Sequence, residues 1–185
     1  VIVYSAAVRT VYKKMTIIIG GIEASLRRLG HYDYWSDSVR RSILLDAKAD
    51  LAIYGMAEKP LLNVAQRLAA ASEAGQNPAN ADLRGIPGTV YKLNGNQHFD
   101  IPKESILLPE FKKIQQEKKS FAESFAIQHR NADPFSAKPL AEKYPSGEIV
   151  IQMPPEMPYS SDFLDKIYEL PYTRMAHPSY EGGIA

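Results

Sequence analysis

"MTIIIGG" (residues 15–21) decides how the first half of this chain folds. Its apolar residues run together instead of alternating with polar ones, and they are β-branched. That is the pattern of a strand covered on both sides, as in a sheet with helices on each face. A second such run, "ADLAIYG" (49–55), also ends in glycine. Between and around them lie helical patterns. Residues 2–13 place Val3, Ala6, Ala7 and Val11 on one face. Ser36 is placed to cap a helix running to Ala47, with Val39, Ile43, Leu44 and Ala47 inward. "AEKPLLNVAQRLAAA" (57–71) carries Pro60 in its first turn and lines up Leu61, Ala65, Leu68 and Ala69. Helix, strand, helix, strand, helix predicts an α/β fold with an open parallel sheet. "GTVYKLNG" (88–95) supplies a third strand, closed by an Asn-Gly turn.

Beyond residue 95 prolines accumulate, ten of them between Pro102 and Pro178. One long helix is predicted over 109–130, with Phe111, Ile114, Phe121, Ala122 and Phe125 as buried candidates. "GEIVIQMPP" (147–155) predicts a strand, and "SSDFLDKIYEL" (160–170) a short helix capped by Ser160 or Ser161. The expected organisation is an α/β domain over 1–95 and a Pro-rich extension with helices over 96–185. The extension is expected to wrap on another surface. The start at Val1 and the stop at "EGGIA" read as cuts, so the α/β domain is expected to be incomplete.

The bulk numbers narrow the chemistry. Net charge is +1, which gives no global electrostatic case for nucleic acid or an anionic membrane. No apolar run approaches the ~20 residues that cross a bilayer, and a cytoplasmic location is expected. Cysteine is absent, which removes disulfides, thiolate metal sites and a Cys nucleophile from this chain. The four histidines, His31, His98, His129 and His177, lack metal-ligand spacing.

The chemistry-bearing residues concentrate in "GGIEASLRRLGHYDYWSD" (20–37). Gly20 and Gly21 follow a strand where open α/β sheets bind ligands, and they would let a cofactor approach the backbone. They also suit a tight turn needing positive φ. Arg27, Arg28, Arg40 and Arg41 form two pairs that could converge on an anion or substrate. The same arginines could instead pair with Glu23, Asp33, Asp37 and Asp46. His31 beside Asp33 suggests a proton-transfer couple, and Trp35 a contact residue; an aromatic corner bonded to backbone is the plainer reading. No catalytic or metal-binding residue is assigned.

The stretch from "IIIGGIEASLRRLGHYDYWSD" through "LAIYGMAEKPLLNVAQRLA" resembles the YgiQ-type, UPF0313 family of radical SAM proteins. "SILLPEF" (105–111) and "YELPYTRMAHPSYEGGIA" (168–185) resemble the same family in the same order. The resemblance implies a CxxxCxxC motif shortly beyond residue 185, holding a [4Fe–4S] cluster that binds S-adenosylmethionine. It also implies that the α/β part is flavodoxin-like or similar to a cobalamin-binding domain. Gly55-Met56-Ala57-Glu58 stands where those domains carry "GEGE", but no DxHxxG loop is present, so cobalamin is an open implication only. The chain itself is expected to hold no cofactor.

The resulting expectation is an accessory region that covers a radical SAM barrel absent from this chain and contributes to substrate or cofactor binding near Gly20. The alternatives are a docking module without ligand and an RNA-contacting module.

Overall fold

The computed structural model describes residues 1–176 and 179. His177 and the closing "EGGIA" lie outside the described residues, so the end of the 168–185 resemblance has no structural counterpart here.

Among the described residues, eight strands and seven α-helices follow in chain order. They are α1 (Ile2–Val11), β1 (Ile18–Ile19), α2 (Gly21–Leu26), β2 (His31–Asp33), β3 (Ser38–Arg40), α3 (Ile43–Asp46), β4 (Leu51–Ile53) and α4 (Glu58–Glu73). Then come β5 (Thr89–Leu93), β6 (Ile106–Leu107), α5 (Phe111–Gln116), α6 (Lys118–Arg130), β7 (Leu140–Lys143), β8 (Ile149–Gln152) and α7 (Ser161–Tyr168).

Six strands form one open sheet in the order β1-β4-β5-β8-β7-β6, and β2 with β3 form a separate hairpin. The α/β class and the open sheet are those expected. β1 and β4 pair in parallel, Ile18 opposite Leu51, as their apolar runs predict. The centre of the sheet differs: β4–β5, β5–β8 and β8–β7 are antiparallel, and only β6–β7 is parallel again. Periodicity reports burial, not direction, so an apolar run covered on both faces reads alike in either orientation. The sheet is continuous across residue 95, because β5 bonds to β8 from the Pro-rich half.

Side chains alternate across this sheet as its pleat requires. One face carries Leu51, Ile53, Tyr91, Leu93, Ile149 and Ile151, covered by Val64 of α4 and by Ile86. The other carries Ala52, Tyr54, Val90, Leu140, Tyr144 and Val150. It is covered by Leu29, by Ile43 and Leu44 of α3, and by Phe111 and Ile114 of α5.

Several helices differ from their predicted extent. The helix expected over 36–47 is instead strand β3 followed by the short α3. Ser42 caps α3, its Oγ accepting from the Leu44 amide at 3.2 Å. Ser36 is drawn away, donating to Asp33 Oδ2 at 2.5 Å. The helix expected over 109–130 breaks at Glu117, whose backbone is extended (φ −125°, ψ 112°). In α1 the buried residue is Ser5, while Val3 and Val11 are exposed. In α4 the buried positions are Pro60, Val64 and Ala71, with Leu61 exposed. Ser160 caps α7 as predicted, its Oγ accepting from Phe163 N at 3.4 Å.

Candidate functional site

The register places the carboxyl ends of β1, β4 and β8 on one edge of the sheet. Ile53 lies opposite Thr89, and Val90 opposite Gln152, so Gly20, Tyr54 and Gln152 all leave the sheet there. Residues 20–37 are built over this edge. Gly20, in extended conformation, caps α2, and Gly21 opens it at φ +86°, a value that L side chains rarely adopt. Both glycines are exposed, and a Cβ on Gly21 would meet open space. The turn explains Gly21 in full.

After α2 the chain dives under the sheet. The Arg27 carbonyl accepts from Ile43 N at 2.8 Å and the Arg28 carbonyl from Ser42 Oγ at 2.7 Å. Gly30 N donates to Glu142 Oε2 at 2.8 Å, and Tyr144 Oη donates to the same oxygen. Tyr144 Oη in turn accepts from Ser42 N at 3.0 Å. Glu142 is fully buried, and burial pushes its carboxyl up to about 7 against the lowering effect of the bonds from Tyr144 and Gly30. Its Oε1 has no partner among the described residues.

The four arginines of the predicted cluster are divided among separate partners. Arg27 pairs with Glu23 at 3.4 Å and Asp33 at 3.3 Å. Arg41 pairs with Asp46 at 2.6 Å, and Arg40 reaches the same carboxylate at 3.7 Å. Arg28 alone of the four has no carboxylate within 4 Å among the described residues. Its Nε donates to Gln152 Oε1 at 2.7 Å, its Nη1 to the Ser25 carbonyl, and its guanidinium lies 4.8 Å from the centre of the Tyr54 ring. Burial pulls its pKa below the ordinary value.

His31 and Asp33 share strand β2 but make no hydrogen bond to each other. His31 Nδ1 lies 3.1 Å from the Leu29 carbonyl, and its buried Nε2 has no partner among the described residues. A carbonyl can only accept, so Nδ1 carries the proton and Nε2 is a bare acceptor. Burial lowers the His31 pKa, which keeps the ring neutral near pH 7. Trp35 stands at the tip of the β2–β3 hairpin, 88% exposed, edge-to-face with Tyr34 at 6.0 Å.

Sequence reasoning misses Tyr54, Glu142, Tyr144 and Gln152. Their signal is a polar side chain at an inward position of an apolar strand, as in "LAEK" and "IVIQ".

The family described as "Radical SAM N-terminal" matches residues 1–185, the whole chain. The chain belongs to the radical SAM N-terminal family. A UPF0313 protein of Clostridium perfringens (strain ATCC 13124) is 45% identical across 100% of this chain and 27% of its own length. One from Methanocella arvoryzae is 42% identical across 100% of the chain and 29% of the relative. One from Bradyrhizobium diazoefficiens is 40% identical across 97% and 28%. The chain therefore spans under a third of these relatives' length, as the N-terminal region of UPF0313 radical SAM family proteins. No solved structure matches it.

Radical SAM chemistry rests on an iron–sulfur cluster and S-adenosylmethionine. This chain has no Cys, and among the described residues no three His, Asp or Glu side chains are grouped to hold a metal. Its residues do not fit the cluster. Cobalamin fits no better: a nucleotide-type crevice needs a switch point among parallel strands, and at this edge only β1–β4 is parallel. Among the described residues no helix is long and apolar enough to cross a membrane.

Proposed function

We propose that this radical SAM N-terminal region is a docking layer that covers the barrel carrying the cluster in the full-length protein. The carrying observation is how residues 20–41 divide their side chains. Three of the four arginines are spent on acids of this chain, while Ile22 (81% exposed), Leu26, Tyr34 and Trp35 are turned outward. Large aromatic and aliphatic side chains presented together anchor interfaces, where a buried Trp is worth ~2 kcal/mol or more. The ion pairs serve to hold the hairpin and α2 in place so that these anchors are presented rigidly. Arginines already paired with acids favour docking on protein over contact with RNA, whose phosphates would need them free.

The test compares backbone amide exchange of residues 31–40 in the full-length protein and in this chain alone. Docking predicts slower exchange in the full-length protein, and Trp35→Ala should abolish the difference. Equal exchange rates in the two wild-type forms would reject the reading.

A further inference from the structure

Arg28 sets a problem that docking does not solve. Its guanidinium cannot shed its proton at any physiological pH, so its partial burial leaves a charge that water solvates incompletely. Such a charge is costly unless an opposite one accompanies it. Arg9, Arg27, Arg40, Arg41 and Arg84 all have a carboxylate within 4 Å. Arg28, held between Gln152, the Ser25 carbonyl and the Tyr54 ring, has only neutral partners. Gln152 is 2% exposed and Tyr54 is 7% exposed, so two buried side chains are committed to fixing one unpaired cation. This is the arrangement of a preorganised anion receptor, in which the missing counter-charge arrives with the ligand.

A second, independent observation lies beside it. Arg28 forms part of the wall of an open groove of ≈ 530 Å³, together with Leu26, Gly30, His31, Phe121 and Phe125. His31 lines it as well, with its Nε2 buried and without a donor among the described residues. Phe125 is 61% exposed and Leu26 71% exposed, so the outer wall is apolar and uncovered. The groove thus combines a cation without a counter-ion and an apolar wall.

The geometry points to a binding site for a small organic anion between the 26–32 segment and α6. Arg28 meets its carboxylate or phosphate, and Phe121 and Phe125 flank its apolar body. Ligand binding at this site goes beyond the docking role; the two readings share Leu26, and docking is read separately, at Trp35 and the hairpin.

The site is tested by isothermal titration of the full-length protein with phenyl phosphate and with benzoate, the two probes separating phosphate from carboxylate preference. Wild type is expected to bind at least one probe saturably, more weakly as salt is raised. Arg28→Gln should weaken binding at least tenfold and Arg28→Lys by less. Phe125→Ala, at an exposed position that folding does not require, should weaken phenyl phosphate several-fold and leave inorganic phosphate unchanged. No saturable binding by wild type, or affinity unchanged in Arg28→Gln or Phe125→Ala, would overturn the site. The exchange test of docking keeps its own outcome in either case.

Discussion

The two faces of the central sheet are packed with different chemistry. Under α4 the buried side chains of β4, β5 and β8 are aliphatic or aromatic from Leu51 to Ile151, apart from Thr89, whose hydroxyl donates to the Ile86 carbonyl at 2.6 Å. Across the sheet the same strands contribute Tyr54 and Gln152, β7 contributes Glu142 and Tyr144, and Arg28 and Ser42 are laid over them. An apolar face needs nothing but volume. A polar face is stable only where each group finds a partner, and here two do not: Glu142 Oε1 and His31 Nε2. The contrast assigns stability to one side of the sheet and specificity of shape and charge to the other, which is also the side over which residues 20–37 are built.

The comparison breaks first on the α4 side. Ile151 is fully buried in the middle of β8. Ile151→Ala should cost about 2–5 kcal/mol in urea unfolding through lost burial and an unfilled cavity. The loss should be the same at pH 5 and pH 8, because no titratable group lines that cluster apart from Tyr91, whose pKa burial raises further. A strongly pH-dependent loss would mean that the two faces are not separable.

On the polar face the expected effect depends on pH. Glu142 has an ordinary value of 4.5 and is raised by burial to about 7 in the folded chain. Between those values the native chain holds a proton that the unfolded chain has released. The stabilisation is therefore full below about pH 4.5 and is lost as pH rises through about 7, amounting to about 3 kcal/mol at most. Glu142→Gln keeps an oxygen for Gly30 N–H and Tyr144 O–H but carries no charge. Its urea midpoint should exceed that of wild type at pH 8, and the gap should close toward pH 4.5. Parallel midpoint profiles for the two proteins would show that Glu142 is not the titrating group.

How far each face is legible in sequence follows from the same contrast. β1, β4, β5 and β8 are readable because "TIII", "LAI", "TVYKL" and "IVIQ" are apolar runs whose burial needs no partner to be known. The hairpin of β2 and β3 is not, because each strand has only three residues, too few for the alternation of Ser38, Val39 and Arg40 to stand out. The break at Glu117 is equally silent, since neither Gly nor Pro marks it within "FKKIQQEKKSFAESF". At the site, the concentration of chemistry in residues 20–37 is visible in one dimension. The partner of each arginine is not: Arg27 and Arg28 are adjacent, yet one meets Asp33 and the other Gln152, 124 residues away. Which cation is left unpaired is decided by the return of β8 to the edge where β4 ends.

The narrowest test falls where the signature segment touches the polar face. Gly30 donates its amide to Glu142, and a Cβ there would stand 2.5 Å from Ile114 Cδ1 and 2.8 Å from Glu142 Oε1. Its φ is not positive, so the demand for glycine is one of space alone. Gly30→Ala should therefore cost about 1–3 kcal/mol, the usual penalty of overpacking a filled core. Ile114 can yield by changing rotamer, whereas Glu142 is tied through Oε2 to Gly30 and Tyr144. Pairing Gly30→Ala with Ile114→Val should recover part of the loss, and pairing it with Glu142→Gln should recover little, because the amide occupies the same volume. If the Glu142 variant were the better rescue in urea unfolding, charge and not volume would be what keeps this position glycine, and the polar face would be governed by electrostatics even at its most crowded contact.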